Sequence, residues 1–249
     1  ATQALRKGEF DEAWGLFDRA LQIAIDCGDR ITEGMIMECF GNVLRQRGDL
    51  AGAAEHYDVA LRITGAAGLP QGQLLGNLAL LHEATGDRDA ALRAYRASIE
   101  SFRQRGFTRG TAIGLANLGE FLLENGDPDG GRPLLEEALA TIDKSDTLCH
   151  AHFLGPLAVI RAMDGDLVEA RALIERAHAL QVTITNPIEL VQIQWRWGQV
   201  EILAGDVDAA SEHLSAATEI MAVAFSDSPP EDISASLDAL QSAIDGHRG

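Results

Sequence analysis

Apolar residues run through this chain at helical spacing and are interrupted at near-constant intervals by the same small polar pair. After the interruptions, small and large apolar residues recur at i, i+4 and i+7, which places them on one helical face. Ala13, Phe17 and Ala20 form one such series; Ala53, Tyr57 and Ala60, then Ala170, Ile174 and Ala177, then Ala210, Leu214 and Ala217 form others. Ala91, Tyr95 and Ser98 follow the same pattern with a polar last member. The interruptions are Gly8-Glu9, Gly48-Asp49, Gly86-Asp87, Gly126-Asp127, Gly165-Asp166 and Gly205-Asp206, with successive glycines 40, 38, 40, 39 and 40 residues apart. Glycine takes the left-handed conformation that ends one helix, and the acid caps the next by accepting backbone N–H bonds at its positive end. Each pair therefore predicts the tight turn of a helical hairpin.

The periodicity predicts helices over 1–7, 10–26, 33–47, 50–64, 71–85, 88–104, 108–125, 128–143, 146–164, 167–180, 187–204, 207–223 and 230–245. Asn186 before Pro187 is a good helix start. Ser226-Asp227-Ser228-Pro229-Pro230 reads as a linker, so the chain divides into a repeat array over 1–225 and a linker with a terminal helix over 226–249. On that last helix Ile233, Leu237, Leu240 and Ile244 form one apolar stripe, as a capping helix needs. At the other end the first hairpin keeps only the end of its first helix. Phe10, Trp14 and Phe17 are therefore expected to be uncovered, the chain to be a piece of a longer protein, and the truncated hairpin to offer a surface for self-association.

Gly41, Ala79, Gly119, Ala158 and Gly198 each lie seven residues before a turn glycine. A small residue in mid-helix, Gly-Asp at the turn, then the Ala, large, Ala series together resemble the tetratricopeptide-repeat family over roughly residues 1 to 222. The repeat of about 40 residues exceeds the family's usual 34 and is similar to the long-helix variety of kinesin light chains and bacterial regulatory proteins. The resemblance implies an all-α fold, a right-handed α-solenoid of six stacked hairpins whose first helices line a concave binding face. Carried onto this sequence, that face holds Glu38, Asn42, Arg45 and Gln46, then Glu83, then Glu120 and Glu124, then His152, Gly155 and Val159, and finally Gln192, Trp195 and Gln199. The family's clamp for a terminal carboxylate uses Lys, Asn and Arg; apart from Asn42 those residues are missing where they are needed, which argues against an acidic chaperone tail as ligand.

Charge changes the picture of the partner. The 249 residues carry a formal charge of −18, which repels phosphates and anionic membranes and disfavours nucleic acid. An acidic groove for a basic protein or peptide is the corresponding expectation. Cys27, Cys39 and Cys149 are widely spaced and read as buried small hydrophobes in a reducing, cytoplasmic setting. The scarcity of lysine beside arginine suggests a bacterial source.

Candidate chemistry is thin. Cys149-His150-Ala151-His152 has no paired ligand set at metal spacing. His82-Glu83 lacks the second histidine of a zinc-protease helix, since Gly86 stands there, and the glycines from Gly126 to Gly131 lack the lysine of a phosphate loop. Gly110, Gly114 and Gly119 point to close helix packing. No cofactor, metal or catalytic residue is expected. Gly155-Pro156 falls inside a helix, where proline costs about 3 kcal/mol and kinks the chain. Beside it Trp195-Arg196-Trp197 suggests a pocket floored by Gly155 and walled by His152, Trp195 and Gln199, with Trp197 in the core. The sequence thus points to a protein- or peptide-binding scaffold in a larger signalling protein; the alternative is a small-molecule or short-peptide sensor controlling an attached domain.

Overall fold

A computed structural model describes residues 10–182, 186–225 and 231–248. The Gly8-Glu9 turn, the helix expected over 1–7 and the 226–230 linker lie outside the described residues. The described residues form twelve helices: α1 (Phe10–Cys27), α2 (Arg30–Gln46), α3 (Leu50–Ala66), α4 (Gly72–Ala84), α5 (Arg88–Gln104), α6 (Thr108–Glu124), α7 (Pro128–Thr141), α8 (Thr147–Met163), α9 (Leu167–Val182), α10 (Pro187–Leu203), α11 (Val207–Ala224) and α12 (Glu231–Arg248). The fold is all-α and built of consecutive helical hairpins. It divides into two compact units, residues 1–114 and 115–249. No helix among the described residues is long and apolar enough to cross a membrane.

The turns are built as their chemistry demands. Gly48, Gly86, Gly126, Gly165 and Gly205 have φ between 75° and 82°. The carboxylates of Asp49, Asp87, Asp127, Asp166 and Asp206 each accept the backbone N–H three residues on, at 2.9–3.2 Å. Asn186 caps α10 by accepting from Ile188 N at 3.2 Å. One boundary differs from expectation. Helix α2 starts at Arg30 rather than residue 33, because Asp29 accepts from both Thr32 N and Thr32 Oγ1 (3.1 and 2.7 Å) after Gly28 takes a φ of 68°.

In the first unit, α2 packs on α3 and α4 on α5. Tyr57 and Tyr95 are fully buried between the helices of their hairpins, each with its hydroxyl bonded to the facing helix: Tyr57 Oη to Asn42 Oδ1 (2.6 Å) and Tyr95 Oη to Glu83 Oε2 (2.7 Å). Of the three N-terminal aromatics expected to be uncovered, the side chain of Phe10 lies outside the described residues and the other two are covered. Phe17 is buried and Trp14 half-buried, since Phe40 receives both, with ring centroids 5.9 and 4.4 Å apart. Cys27 is not buried; it ends α1 beside the Gly28 turn and is exposed.

In the second unit, α6 and α7 meet almost backbone to backbone. A Cβ on Gly119 would lie 2.8 Å from Leu135 Cγ and 3.0 Å from the Gly131 carbonyl oxygen, and one on Gly131 would lie 2.5 Å from the Gly119 oxygen. Helix α8 runs unbroken through Pro156, so the proline removes one backbone bond, to the His152 carbonyl, without ending the helix. Helix α12 lays Ile233, Leu237, Leu240 and Ile244 onto the apolar side of α10 and α11, and Leu240 comes so close to Gly198 that a Cβ there would meet it at 2.6 Å.

One core column contains a misfit. The residues sixteen after the turn glycines are Thr64, Phe102, Ile142, Gln181 and Met221. Gln181 is 0% exposed, and among the described residues neither amide atom has a hydrogen-bond partner, a burial that costs about 1–3 kcal/mol. Replacing it with Met should therefore stabilise the second unit by about 1–2 kcal/mol, read as an upward shift of the denaturation midpoint. Gly41→Ala should do the reverse to the first unit. Its Cβ would meet the Tyr57 ring at 2.4 Å, and overpacking against a ring held at its hydroxyl costs roughly 1–3 kcal/mol.

Candidate functional site

The thirteen residues expected to share one face fall into two sets, one in each unit. In residues 1–114, Glu38, Asn42 and Arg45 form a half-buried polar row on α2, with Gln46 exposed at its end. Glu38 accepts from Asn77 Nδ2 on α4 at 2.8 Å. Burial pushes its carboxyl above the usual range, and hydrogen bonds from Gln73 and Asn77 offset only part of that. The Arg45 Nε is buried without a partner, while Asn42 and Glu83 are both occupied by tyrosine hydroxyls.

The second set is a charged network across α6, α8 and α10, centred on a residue that periodicity did not single out as functional. Arg196 is 3% exposed. Its Nη2 donates to Glu120 Oε1 at 2.5 Å and to Glu124 Oε1 at 2.6 Å, and its Nη1 donates to Gln199 Oε1 at 3.1 Å. The guanidinium lies 3.9 Å from the centroid of the Trp195 ring, a cation–π contact. His152 stands on the other side of Glu120, with Nε2 at 3.8 Å from Glu120 Oε2 and Nδ1 at 3.4 Å from Glu189 Oε2. Three carboxylates therefore face two cations.

The titration behaviour follows from that arithmetic. Burial disfavours a charged Glu120, yet the charges of Arg196 and His152 and the Arg196 hydrogen bond hold its carboxyl below the usual range. For Glu124 burial wins, and the neighbouring Glu120 charge adds to it, so its carboxyl is raised despite Arg196. One guanidinium shared by two acids leaves the outer one under-compensated. Burial pulls His152 down, but its hydrogen bond to Glu189 and the charges of Glu120 and Glu189 prevail and lift it to about 9.

This network corrects the pocket expected here. Gly155 is buried because Arg196 lies across it, with Cγ 3.5 Å from where a Cβ would stand, so the guanidinium stem occupies the space that the glycine leaves. Val159 is buried too, since α8 is packed against α7, α9 and α10 and hides twelve of its seventeen residues. Trp195 is half-buried against the apolar cluster of α10, α11 and α12 rather than open to a groove. Gln192 is half-buried on the same helix. Trp197, expected in the core, is half-buried in a stack of rings. His213 lies parallel to it at 4.4 Å, His178 meets it edge-on at 5.6 Å, and its indole N–H donates to buried Glu201 at 3.3 Å. Arg171 closes that carboxylate from the other side at 2.5 Å. Burial holds His213 below the usual histidine range, against the raising effect of Glu201 and Glu212. Among the described residues no cluster of three His, Cys, Asp or Glu is placed to hold a metal ion.

Residues 77–147 match a tetratricopeptide-repeat family model, and residues 151–176 match a second one. No curated protein sequence matches the chain. Among solved structures, BtubC (BKLC) from P. vanneervenii superposes with a TM-score of 0.67 at 20% identity, over 88% of this chain and 94% of that one. The apo quorum sensor NprR from B. thuringiensis gives 0.63 at 14% identity, over 89% of this chain and 62% of that chain. These likenesses agree with an all-α array of helical hairpins. Tetratricopeptide repeats are thus matched within residues 77–147 and 151–176.

The two histidines give the second unit a pH dependence with two limbs. His152 is raised above its unperturbed 6.5, so its contribution is complete below that value and is lost as pH rises through about 9. His213 is depressed, so stability is lost as pH falls from 6.5 through its folded-state value. Thermal melts against pH should show His152→Gln flattening the alkaline limb and His213→Gln the acid limb. Arg196→Gln should lower the melting temperature, because it leaves half-buried Glu120 and the more exposed Glu124 facing each other without their shared cation; unchanged melting would remove Arg196 from the centre of the network.

Proposed function

We propose that this chain is a non-catalytic protein- or peptide-binding module of a regulatory scaffold, and that the face formed by α6, α8 and α10 receives a basic segment of the partner. The observation that carries this reading is the surplus carboxylate of the Arg196 network. Glu124 is 38% exposed on its side chain, shares its cation with Glu120 and is raised by burial. A lysine or arginine brought to it would supply the missing charge and gain a charge-assisted hydrogen bond. The overall charge of −18 would speed the approach of such a partner, an effect that salt weakens. Tetratricopeptide repeats in residues 77–147 and 151–176 are in keeping with docking rather than catalysis. Cytoplasmic placement within a larger bacterial signalling protein belongs to the same reading.

A second reading, a sensor for a short peptide or small molecule, draws on the fold shared with a quorum sensor. The two separate on an immobilised peptide array spanning basic, neutral and acidic sequences, probed with the wild-type chain and with an E124Q/E189Q variant whose helicity is checked by circular dichroism. Basic peptides should be retained, with about tenfold weaker binding for the variant and loss of signal at high salt. Retention of neutral or acidic peptides, indifferent to the variant, would sink the basic-partner reading. No peptide retention, with a small metabolite held in native mass spectrometry, would favour the sensor.

A further inference from the structure

The open end of the α2/α3 hairpin carries a groove of about 470 Å³ between the first turn of α2 and the last turns of α3. That volume lies within the roughly 300–1,000 Å³ typical of small-ligand sites. Val59, Ile63 and Ala66 form its apolar side, and Arg30, Glu33 and Arg62 its polar side. Arg30 Nη1 donates to Glu33 Oε2 at 2.6 Å, so these two charges cancel. Arg62 is exposed, and among the described residues no carboxylate pairs with it. The groove is thus locally cationic in a chain whose formal charge is −18.

The repeat shows how unusual this is. Fourteen residues after the turn glycine the hairpins have Arg62, Glu100, Ala140, Ala179 and Glu219; this hairpin alone places a cation there. Where the next hairpin has the long side chains of Gln104 and Arg105, this one has Ala66 and Ala67, which leave the groove open. A basic residue stands fourteen positions after the turn and small residues stand eighteen and nineteen after it, where the next hairpin has an acid and two long side chains. Either change alone would be ordinary surface variation; together they make a concave apolar surface with one unpaired cation at its edge.

We propose that this groove binds a small amphipathic carboxylate, its headgroup hydrogen-bonded to the Arg62 guanidinium and its aliphatic body laid on Val59, Ile63 and Ala66. Guanidinium matches a carboxylate in shape as well as charge and can hold both oxygens at once. The Glu33 carboxylate does not oppose the ligand, because Arg30 already neutralises it. The site lies within residues 1–114 and does not depend on the docking reading of the α6, α8 and α10 face.

Sodium octanoate is a suitable probe, with octylammonium and octanol as controls of the same chain length. Binding is followed by methyl chemical shifts in the full chain. Octanoate should bind saturably, shifting the methyl groups of Val59, Ile63 and Ala66, while octylammonium and octanol should not. Arg62→Gln should weaken octanoate about tenfold, the loss of one charge-assisted bond. Ala66→Leu, on an exposed position that tolerates a larger side chain, should abolish binding by filling the groove. Octanoate that fails to bind, that binds no better than octylammonium or octanol, or that is indifferent to both substitutions would overturn the proposal.

Discussion

Register in this protein is set by a two-residue constraint at each turn, a glycine in the left-handed region followed by an aspartate that caps the next helix. The glycine reverses the chain in one residue, and the aspartate fixes where the following helix begins, so each hairpin is aligned to the residue. That alignment brings Gly41 against Tyr57 and Gly119 against Leu135. It likewise carries Thr64, Ile142, Gln181 and Met221, each sixteen positions after its turn glycine, into the core. A one-residue slip would move those side chains by about 100° around the helix. The packing between helices, and the layout of every polar group on their faces, is downstream of it.

The same chemistry explains which boundaries could be read directly and which could not. Gly-Asp at a period near 40 stands out because it recurs. Gly28-Asp29 is built the same way, with a left-handed glycine and a capping aspartate, yet it joins one hairpin to the next and falls midway between the periodic pairs. Reading by period alone passes over it and starts α2 three residues late. Local turn chemistry is the better guide there, and it would also have marked Gly68 and Gly106, both at φ 64°. Glycine packing along α6 was legible for a related reason: glycines in mid-helix lose backbone entropy and persist where a neighbour leaves no room.

Charge pairing was not legible in that way. Arg196 reaches Glu120 and Glu124 across 76 and 72 residues of sequence, and no local pattern connects them. Trp195 and Trp197 drew attention because they are rare and large, while the cation between them decides the arrangement. One hint was available. Helix α10 carries a single cation, flanked by Ile193, Trp195, Trp197 and Val200, and a lone buried charge requires partners somewhere. Gly155 was read as a pocket floor when its role is to leave room for the stem of that arginine. Gln181 is the counter-case, a polar residue in a core column that the structure leaves unsatisfied, visible once the hairpins are aligned on their turns.

Net charge is a poor guide to what each surface can hold. At −18 the chain repels anions at long range, but screening confines that field to about 8 Å at physiological salt, and within that distance individual pairings decide. In the Arg196 network two cations answer three carboxylates, so the surplus is negative and sits on the most exposed member. At the end of the α2/α3 hairpin one cation is cancelled and another is left over, so the surplus is positive. Both surpluses are local: each is set by which charged side chains a hairpin brings together, not by the charge of the whole chain. A repeat array can therefore carry opposite local charges on hairpins of one plan, because each hairpin varies its surface residues around the same turns and core positions.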